Sequence, residues 1–349
     1  MPNTNNEEAP SDAEIVTARD KSRAAAITPK NHPLVSHIYT ADPSAHVFNG
    51  RIYIYPSHDL ETDMPMNDLG DHFAMRDYHV FSLDEPFGTV TDHGCALDIA
   101  EVKWAERQMW APDAAEKDGK YYLYFPARNH QGVFHIGVAV GDQPQGPFTP
   151  QETEIKGTYS IDPAVLQDDD GTYYIYFGGL WGGQLQAWTH GEFGKDTYPA
   201  DHEPAIRPRI AKLANNMIEL AETPREIEIL EQDGTQMTAG EIERRYFEGP
   251  WVHQYMGRYY LSYSTGETHN IVYAIGDSPY GPFTYQGVIL TPVLGWTTHH
   301  SIVQFRGKWY LFYHDCQLSG GETHLRNIKM TELFYNEDGT IQTIHPYDA

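Results

Sequence analysis

The chain has few cysteines, few basic residues and no long apolar run, and each shortage excludes a class of protein. Cys95 and Cys316 are its only cysteines and form no CxxC pair, so neither a disulfide framework nor a cysteine zinc site is indicated. No segment approaches the roughly 20 consecutive apolar residues of a membrane-spanning helix. Residues 1–30 lack the apolar core of a signal peptide, which predicts an intracellular, cytoplasmic protein.

Basic residues are outnumbered by acidic ones, with 24 Lys and Arg against 49 Asp and Glu and a formal net charge of −25. A chain with this charge is repelled by nucleic-acid phosphates and by anionic membrane surfaces. We therefore expect neutral or cationic partners, with neither nucleic acid nor membrane among them.

Aromatic residues are abundant, at 13% of the 349 residues, and many stand in short runs that favour β-strands. At five places such a run follows a glycine, usually as Asn-Gly or Asp-Gly, which predicts a tight turn into a strand. These glycines are Gly50, Gly119, Gly171, Gly257 and Gly307. They lie about 50 to 90 residues apart, the size of a four-stranded blade with insertions, which predicts an all-β, five-bladed β-propeller.

We expect the propeller to form a single domain over residues 34–349, preceded by a polar N-terminal extension over residues 1–33. Residues 141–149 recur in similar form as residues 276–284, which supports equivalent outer strands in the second and fourth blades. In the long gap before the fourth blade, residues 211–221 have the apolar spacing of a short helix. Residues 226–230 predict an extra strand.

A polar side chain stands a few residues before each repeated glycine, where the innermost strand of each blade would begin. These groups are Asp42, Asp113, Asp162, Glu248 and the pair His299–His300. If the innermost strands line a central channel, these side chains converge at one mouth, and neighbouring carboxylates there separate their pKa values into an acid and a base. For a single aspartate the alternative is an ordinary Asp-Pro turn.

Glu248 has the surroundings of a general acid. It lies between Phe247 and Trp251 and is followed by Gly249 and Pro250. Burial beside aromatic rings raises the pKa of a carboxyl group, as a proton donor near neutral pH requires. The alternative is a glutamate at a strand entry that is held by backbone amides.

Through these motifs, in this order, the chain from about residue 35 onward resembles glycoside hydrolase family 43, whose members are five-bladed propellers that cleave xylose- and arabinose-containing glycans. The resemblance implies that Asp42 is the general base, that Asp162 orients the acid and adjusts its pKa, and that Glu248 is the general acid. This is similar to an inverting apparatus, in which the base activates a water while the acid protonates the leaving oxygen.

Three further residues resemble family positions less sharply. Trp110 resembles an aromatic wall for the sugar ring, with a core tryptophan as the alternative. Arg326 resembles an arginine that binds sugar hydroxyls near the base, with an exposed strand arginine as the alternative. His299 resembles a channel histidine beside bound calcium, although calcium prefers oxygen ligands and His300 leaves open which histidine faces the channel. No organic cofactor is indicated.

The activity that the resemblance implies is an exo-acting β-xylosidase that trims β-1,4-xylo-oligosaccharides, with α-L-arabinofuranosidase side activity. The alternatives are an α-L-arabinofuranosidase or arabinanase acting on arabinan or arabinoxylan, and a propeller lectin that does not cleave its glycan. A lectin would tend to repeat its binding residues evenly, whereas the blade entries here differ, which favours catalysis. A homo-oligomer stays open from the sequence.

Overall fold

The computed structural model describes residues 10–189 and 191–348, and most of its regular structure is β-strand. Its longest helix is α1 (Asp12–Ala24), which begins with a capping box between Ser11 and Glu14. Short 3-10 helices span Ile99–Glu101, Trp181–Gly183, Leu185–Ala187 and Gly266–Thr268. None of the helices in the described ranges has both the length and the apolarity needed to cross a bilayer.

The strands form five main antiparallel sheets, which are the blades. A short strand β1 (Thr28–Pro29) comes before them. Blade I contains β2 (Tyr39–Phe48), β3 (Arg51–Asp59), β4 (Asp77–Leu83) and β5 (Thr91–Asp98). Blade II contains β6 (Ala105–Arg107), β7 (Asp113–Lys117), β8 (Lys120–Asn129), β9 (Phe134–Gly141) and β10 (Thr149–Pro150). The predicted five-bladed propeller is confirmed.

The other three blades follow in chain order. Blade III contains β11 (Ala164–Gln167) and β12 (Tyr173–Phe177), then an inserted hairpin of β13 (Trp188–Thr189) and β14 (Glu192–Phe193), then β15 (Arg209–Lys212) and β16 (Arg225–Glu226). Blade IV contains β17 (Ile229–Leu230), β18 (Glu248–Tyr255), β19 (Arg258–Ser264), β20 (Ile271–Gly276) and β21 (Phe283–Leu290). Blade V contains β22 (His300–Phe305), β23 (Lys308–Asp315) and β24 (Asn327–Leu333), and β25 (Tyr347–Asp348) pairs with β1.

The repeated glycines form the predicted turns within the blades, between β2 and β3, β7 and β8, β11 and β12, β18 and β19, and β22 and β23. In blade I, Phe48 pairs with Arg51 across a two-residue loop whose members Asn49 and Gly50 have φ values of 52° and 75°. Both values are positive, as a type I′ hairpin turn requires. The hairpins at Gly119, Gly257 and Gly307 pair in the same two-residue way, whereas the one at Gly171 has a longer loop.

The inner strands are buried on both faces because each blade packs against its neighbours. On β3, Ile52 and Ile54 belong to an apolar cluster that includes Phe312 of blade V. The alternating residues Tyr53 and Tyr55 belong to a second cluster shared with blade II. The ring therefore closes by direct apolar contact between its first and last blades.

Two expectations for the long gap are corrected. Residues 211–221 are not a helix, because Ala211 belongs to β15 and the chain then turns back so that Leu213 bridges to Leu220. The apolar spacing instead reflects Met217, which is buried beneath this turn. The single strand predicted over residues 226–230 is divided between the end of β16 and β17, which runs parallel to β21.

The N-terminal extension contains α1 and is anchored to the propeller. The carboxylate of Asp20 is fully buried and accepts a hydrogen bond from the backbone N–H of Gly295 at 2.6 Å. At the other end of α1, the N–H of Asp12 donates to Oδ1 of Asp68 at 3.1 Å. The polar residues 2–9 lie outside the described ranges, and the boundary at residue 33 stays a prediction.

Candidate active site

One pocket gathers most of the predicted functional residues. Its empty volume is ≈ 660 Å³ including the part that is open to solvent, and its lining includes Asp42, Trp110, Asp162, Glu248, His299 and Arg326. The remaining wall is largely apolar, with Phe73, Met75, Ile161, Leu180, Trp181, Phe247 and Trp296 among its residues. The blade entries therefore place carboxylates, an arginine and a histidine in one aromatic-walled cavity.

Asp42 lies at an irregularity in β2, where the register with β3 shifts between Ala41 and Ser44. Its side chain is almost fully buried and makes a dense set of contacts. Ser57 Oγ donates to Oδ2 of Asp42 at 2.6 Å, and Nη1 of Arg326 donates to Oδ1 at 3.0 Å. These donors fix both oxygens of the carboxylate.

Arg326 directly precedes β24 and is buried rather than exposed. Its guanidinium makes a bidentate pair with Asp59, with Nε to Oδ2 at 2.8 Å and Nη2 to Oδ1 at 2.7 Å. Nη1 donates to both Asp42 and the hydroxyl of Thr297, each at 3.0 Å. One arginine of blade V thus holds two carboxylates of blade I.

The pKa of Asp42 lies well below its usual range. Burial alone would raise this pKa, but the positive charge of Arg326 and the contact with His299 lower it by more. Asp42 is therefore ionised throughout the physiological pH range.

Asp162 has the opposite shift. Burial raises its pKa to about 6, His299 opposes this rise, and the charge of Asp42 adds to it. Its Oδ2 accepts the backbone N–H of Gly249 at 2.9 Å. Gly249 has a φ of 64°, and a Cβ there would lie 2.6 Å from the ring of His299. The position after Glu248 therefore requires glycine.

Glu248 begins β18 and has a pKa well above its usual range. Burial is the main cause, and the charges of Asp162 and Asp42 add to it, while Arg326 opposes the shift. The pocket thus holds one carboxylate whose pKa is lowered and one carboxyl group whose pKa is raised, so Glu248 keeps its proton to higher pH than Asp42. This separation is what acid–base catalysis requires.

Trp110 agrees with both interpretations of the sequence, as an aromatic wall of the pocket and as a packed core tryptophan. Its indole lines the pocket, while its Nε1 donates to the carbonyl of Phe73 at 2.9 Å and its ring lies 4.7 Å from that of Phe134. The ring is therefore a rigid wall whose orientation is fixed from behind.

Asp113 does not join the pocket lining, contrary to the expected convergence of all blade entries. It accepts hydrogen bonds from the hydroxyl of Ser44 and, at 2.5 Å, from the N–H of Val165, and it lies 2.6 Å from Nε2 of His46. It is buried and connects blades I, II and III. Its carboxylate therefore stabilises contacts between blades inside the ring and is not part of the pocket.

The two histidines of blade V have different environments. His299 lines the pocket, and its Nδ1 lies 3.4 Å from Oδ1 of Asp42. His300 is buried outside the pocket lining, with Nε2 at 2.5 Å from the hydroxyl of Ser262. Within the described residues, Nδ1 of His300 has no hydrogen-bond partner.

Comparison with known proteins agrees with this geometry. Residues 89–341 match the family model for glycosyl hydrolases family 43. The chain belongs to this family. It is a glycoside hydrolase, as the carboxylate pocket indicates.

Relatives of this family-43 chain match almost its whole length. A xylosidase/arabinosidase 43A of Humicola insolens is 59% identical over 324 residues, covering 90% of this chain and 99% of the relative. A β-xylosidase of Xylanibacter ruminicola is 50% identical over 88% of this chain and 97% of its own. A solved β-xylosidase/α-arabinofuranosidase from a compost metagenome, in complex with xylotriose and in calcium-free form, has a TM-score of 0.90. It is 62% identical over 93% of this chain and 100% of its own.

Several residues in or behind the pocket of this family-43 chain were not predicted from the sequence. Asp59 and Ser57 end β3, but no spacing connects them to Asp42 or Arg326. Trp181, Phe247 and Trp296 form a group of aromatic rings with centroids 5.3 to 5.5 Å apart. The motif around Glu248 includes Phe247, whereas Trp181 and Trp296 lie far from this motif in the sequence.

Replacing Glu248 with glutamine should stabilise the protein at neutral pH. A carboxyl group whose pKa is raised by folding contributes stability below its unfolded pKa, about 4.3, and that stability is lost as pH rises towards the folded pKa. Glu248→Gln removes this loss, so we expect its free energy of unfolding to exceed that of the wild type by about 1–3 kcal/mol at pH 7. The difference should vanish near pH 4.

Thermal unfolding of both proteins between pH 4 and 8 measures this difference. Glu243→Gln, at an exposed position, serves as the control and should follow the wild type throughout. A pH-independent difference for Glu248→Gln would contradict the raised pKa.

Proposed function

We propose that the chain is an inverting, exo-acting β-xylosidase that releases xylose from the ends of β-1,4-xylo-oligosaccharides, with α-L-arabinofuranosidase side activity. The observation that carries this proposal is one pocket that holds both Asp42, whose pKa is lowered by Arg326 and His299, and Glu248, whose pKa is raised by burial and by the charges of Asp162 and Asp42. The relatives are xylosidases and arabinosidases, which supplies the substrate class.

In this mechanism, Asp42 accepts a proton from the attacking water while Glu248 donates its proton to the glycosidic oxygen. Asp162 acts through Glu248: its negative charge raises the pKa of the acid, and its bond to the N–H of Gly249 fixes the backbone beside the acid. Arg326 keeps Asp42 ionised and holds it in place. Trp110 supplies a flat apolar surface for one face of the sugar ring.

The walls of the pocket support action at a chain end. Residues between 67 and 75, including Asp68 and His72, supply one part of the wall, and Trp296 supplies another. Helix α1 connects these two parts, because it bonds Asp68 through Asp12 and Gly295 through Asp20. A rim that is tied across in this way favours a closed-ended pocket over the open groove that an arabinanase needs.

The proposed acid and base can be separated by the leaving group. Glu248→Gln should lower kcat on xylobiose by about 10²–10⁴-fold, because an alkoxide leaves poorly without a proton. An aryl xyloside whose phenol has a pKa of about 7 should lose much less, since it needs little protonation. Asp42→Asn should lower kcat on both substrates alike, because both require water attack.

Steady-state kinetics on the two substrates measures these effects, and circular dichroism confirms that the variants fold. Equal losses on both substrates for Glu248→Gln would remove it as the proton donor. Asp42→Asn retaining more than about a tenth of wild-type kcat would remove Asp42 as the base.

The stereochemical outcome is an independent prediction. Single displacement by water inverts the anomeric carbon, so a β-linked xyloside should yield α-xylose as its first product. Proton NMR of the first minutes of hydrolysis distinguishes the anomers before they equilibrate. Initial β-xylose would indicate a double displacement through a covalent intermediate.

Calcium is the cofactor that the family resemblance implies, and a structure of a relative is described as a calcium-free form. His299 can offer a metal only its Nε2, because its Nδ1 faces Asp42 at 3.4 Å. His300 fits better, because its buried Nδ1 has no hydrogen-bond partner among the described residues. We propose that His300 would be the protein ligand, with waters completing the oxygen shell that calcium prefers. The ion would supply positive charge near the acidic pocket.

Chelation should therefore lower kcat while leaving the fold intact, and added Ca²⁺ should restore the rate. Ca²⁺ should also raise the Tm of the wild type and of His299→Gln, but not that of His300→Gln, because only the last variant removes the proposed ligand. Differential scanning calorimetry with and without Ca²⁺ tests this directly. Full activity of exhaustively chelated protein that contains no metal by elemental analysis would refute the calcium proposal.

A further inference from the structure

A cluster of two histidines and one aspartate lies in blade I, outside the lining of the active-site pocket. Its members are His58 on β3 and Asp77 and His79 on β4. Each offers a ligand atom, and these atoms lie within 4.8 Å of one another. Within the described residues, it is the one group of three or more His, Cys, Asp or Glu side chains that meets this spacing.

The strand geometry explains why these side chains meet. Residues two apart on a strand point to the same face, and His58 lies on the face of β3 that carries Ile52 and Ile54. Asp77 and His79 lie on the face of β4 that carries Phe81, which packs with those isoleucines. The cluster therefore continues the apolar face that blade I presents to blade V, at its polar end.

The three side chains are already in close contact. Nδ1 of His58 lies 2.5 Å from Oδ1 of Asp77, and the rings of His58 and His79 have centroids 5.0 Å apart at 66°. Their exposed fractions are 14%, 16% and 18%. Side chains this covered are held in position, yet solvent still reaches them, so an ion can enter.

A second carboxylate supports the cluster from behind. Oδ1 of Asp92 lies 3.5 Å from Nδ1 of His79, and Oδ2 of Asp92 lies 2.7 Å from Nε2 of His37. Histidines that bind metals commonly donate their other ring N–H to a carboxylate, which fixes the tautomer and makes the free nitrogen more basic. Asp92 can serve His79 in this way and leave Nε2 as the ligand atom.

We propose that His58, Asp77 and His79 form a binding site for a divalent transition metal, with Zn²⁺ as its best-fitting occupant. Two imidazole nitrogens and one carboxylate oxygen match the ligand preference of zinc, whereas calcium and magnesium prefer oxygen ligands alone. Three protein ligands leave a fourth tetrahedral position for water. Cys95 pairs with His79 across β4 and β5, but its Sγ is not among the ligand atoms that lie within 4.8 Å of one another.

The movement required to close the site is small. Tetrahedral zinc with bonds of about 2.0–2.2 Å places its ligand atoms about 3.4 Å apart. Here Nδ1 of His58 and Oδ1 of Asp77 lie 2.5 Å apart, and all three ligand atoms lie within 4.8 Å of one another. Side-chain rotations without backbone movement can therefore bring them to the zinc spacing. When the ion binds Nδ1 of His58, any proton on that nitrogen passes to solvent, and the ion takes the place of the hydrogen bond to Asp77.

Metal binding at this site would act on the strand that supports the active site. His58 stands between Ser57, which donates to Asp42, and Asp59, which pairs with Arg326. An ion that links the end of β3 to the start of β4 would stabilise this part of blade I. The site is separate from the calcium proposal, because none of its residues contacts His299 or His300.

The test compares the wild type with His58→Gln/His79→Gln after removal of metals by chelator and dialysis. Titration calorimetry with Zn²⁺, with elemental analysis of the product, gives the number of bound ions. We expect the double variant to lose one high-affinity Zn²⁺ equivalent relative to the wild type. Any zinc still bound at this site should have a Kd at least tenfold higher. Zn²⁺ should also raise the Tm of the wild type by more than that of the variant.

Two further variants guard the interpretation. His93→Gln removes a histidine of the same blade that bonds Ser82 instead of the cluster, and it should bind Zn²⁺ like the wild type. Asp77→Asn keeps the side-chain shape and should weaken binding if the double variant does not fold. Co²⁺ bound to the wild type should show the visible absorption of a low-symmetry site, which the double variant should lack. Equal zinc stoichiometry and affinity in all four proteins would overturn the proposal.

Discussion

The ion network of Arg326, Asp42 and Asp59 is the interaction on which the active site depends. All three side chains are nearly inaccessible to water, and burying a charge costs several kcal/mol unless its partners satisfy it. Here the guanidinium uses Nε, Nη1 and Nη2 to bind both carboxylates. Because Arg326 belongs to blade V and the aspartates to blade I, the same contacts join the ends of the ring and set the charge of the base.

The network also orders the protonation of the pocket. Arg326 favours the ionised form of Asp42, and that fixed negative charge raises the pKa of both Asp162 and Glu248. The charges of Asp162 and Asp42 both raise the pKa of Glu248, and the positive charge of Arg326 lowers it by less. Burial is the main cause of the raised pKa of Glu248, and one charge distribution couples this acid to the base, so a change at Arg326 would alter both.

The sequence predicted the architecture better than the network. The repeated glycine turns are local signals; they predicted five blades and marked the blade entries at which Asp42, Asp162 and Glu248 lie, while the family resemblance separated these three from Asp113. The bond between Arg326 and Asp59 joins residues 267 positions apart, and no local pattern reports such a pair. For the same reason Trp181 and Trp296 were missed, since Trp181 begins a short 3-10 helix and Trp296 precedes β22, both without a repeated motif.

Asp113 shows why position in the repeat does not by itself identify a pocket residue. Asp113 is a regular strand residue that pairs with Tyr124, and its carboxylate remains inside the ring. Asp42 and Asp162 instead have positive φ values of 50° and 57°. This left-handed conformation, which aspartate tolerates better than most residues, costs about 1–3 kcal/mol and persists where the surroundings impose it. This conformation interrupts the extended backbone and distinguishes the two pocket aspartates from Asp113. The sequence does not reveal this difference in backbone geometry, because all three residues are aspartates.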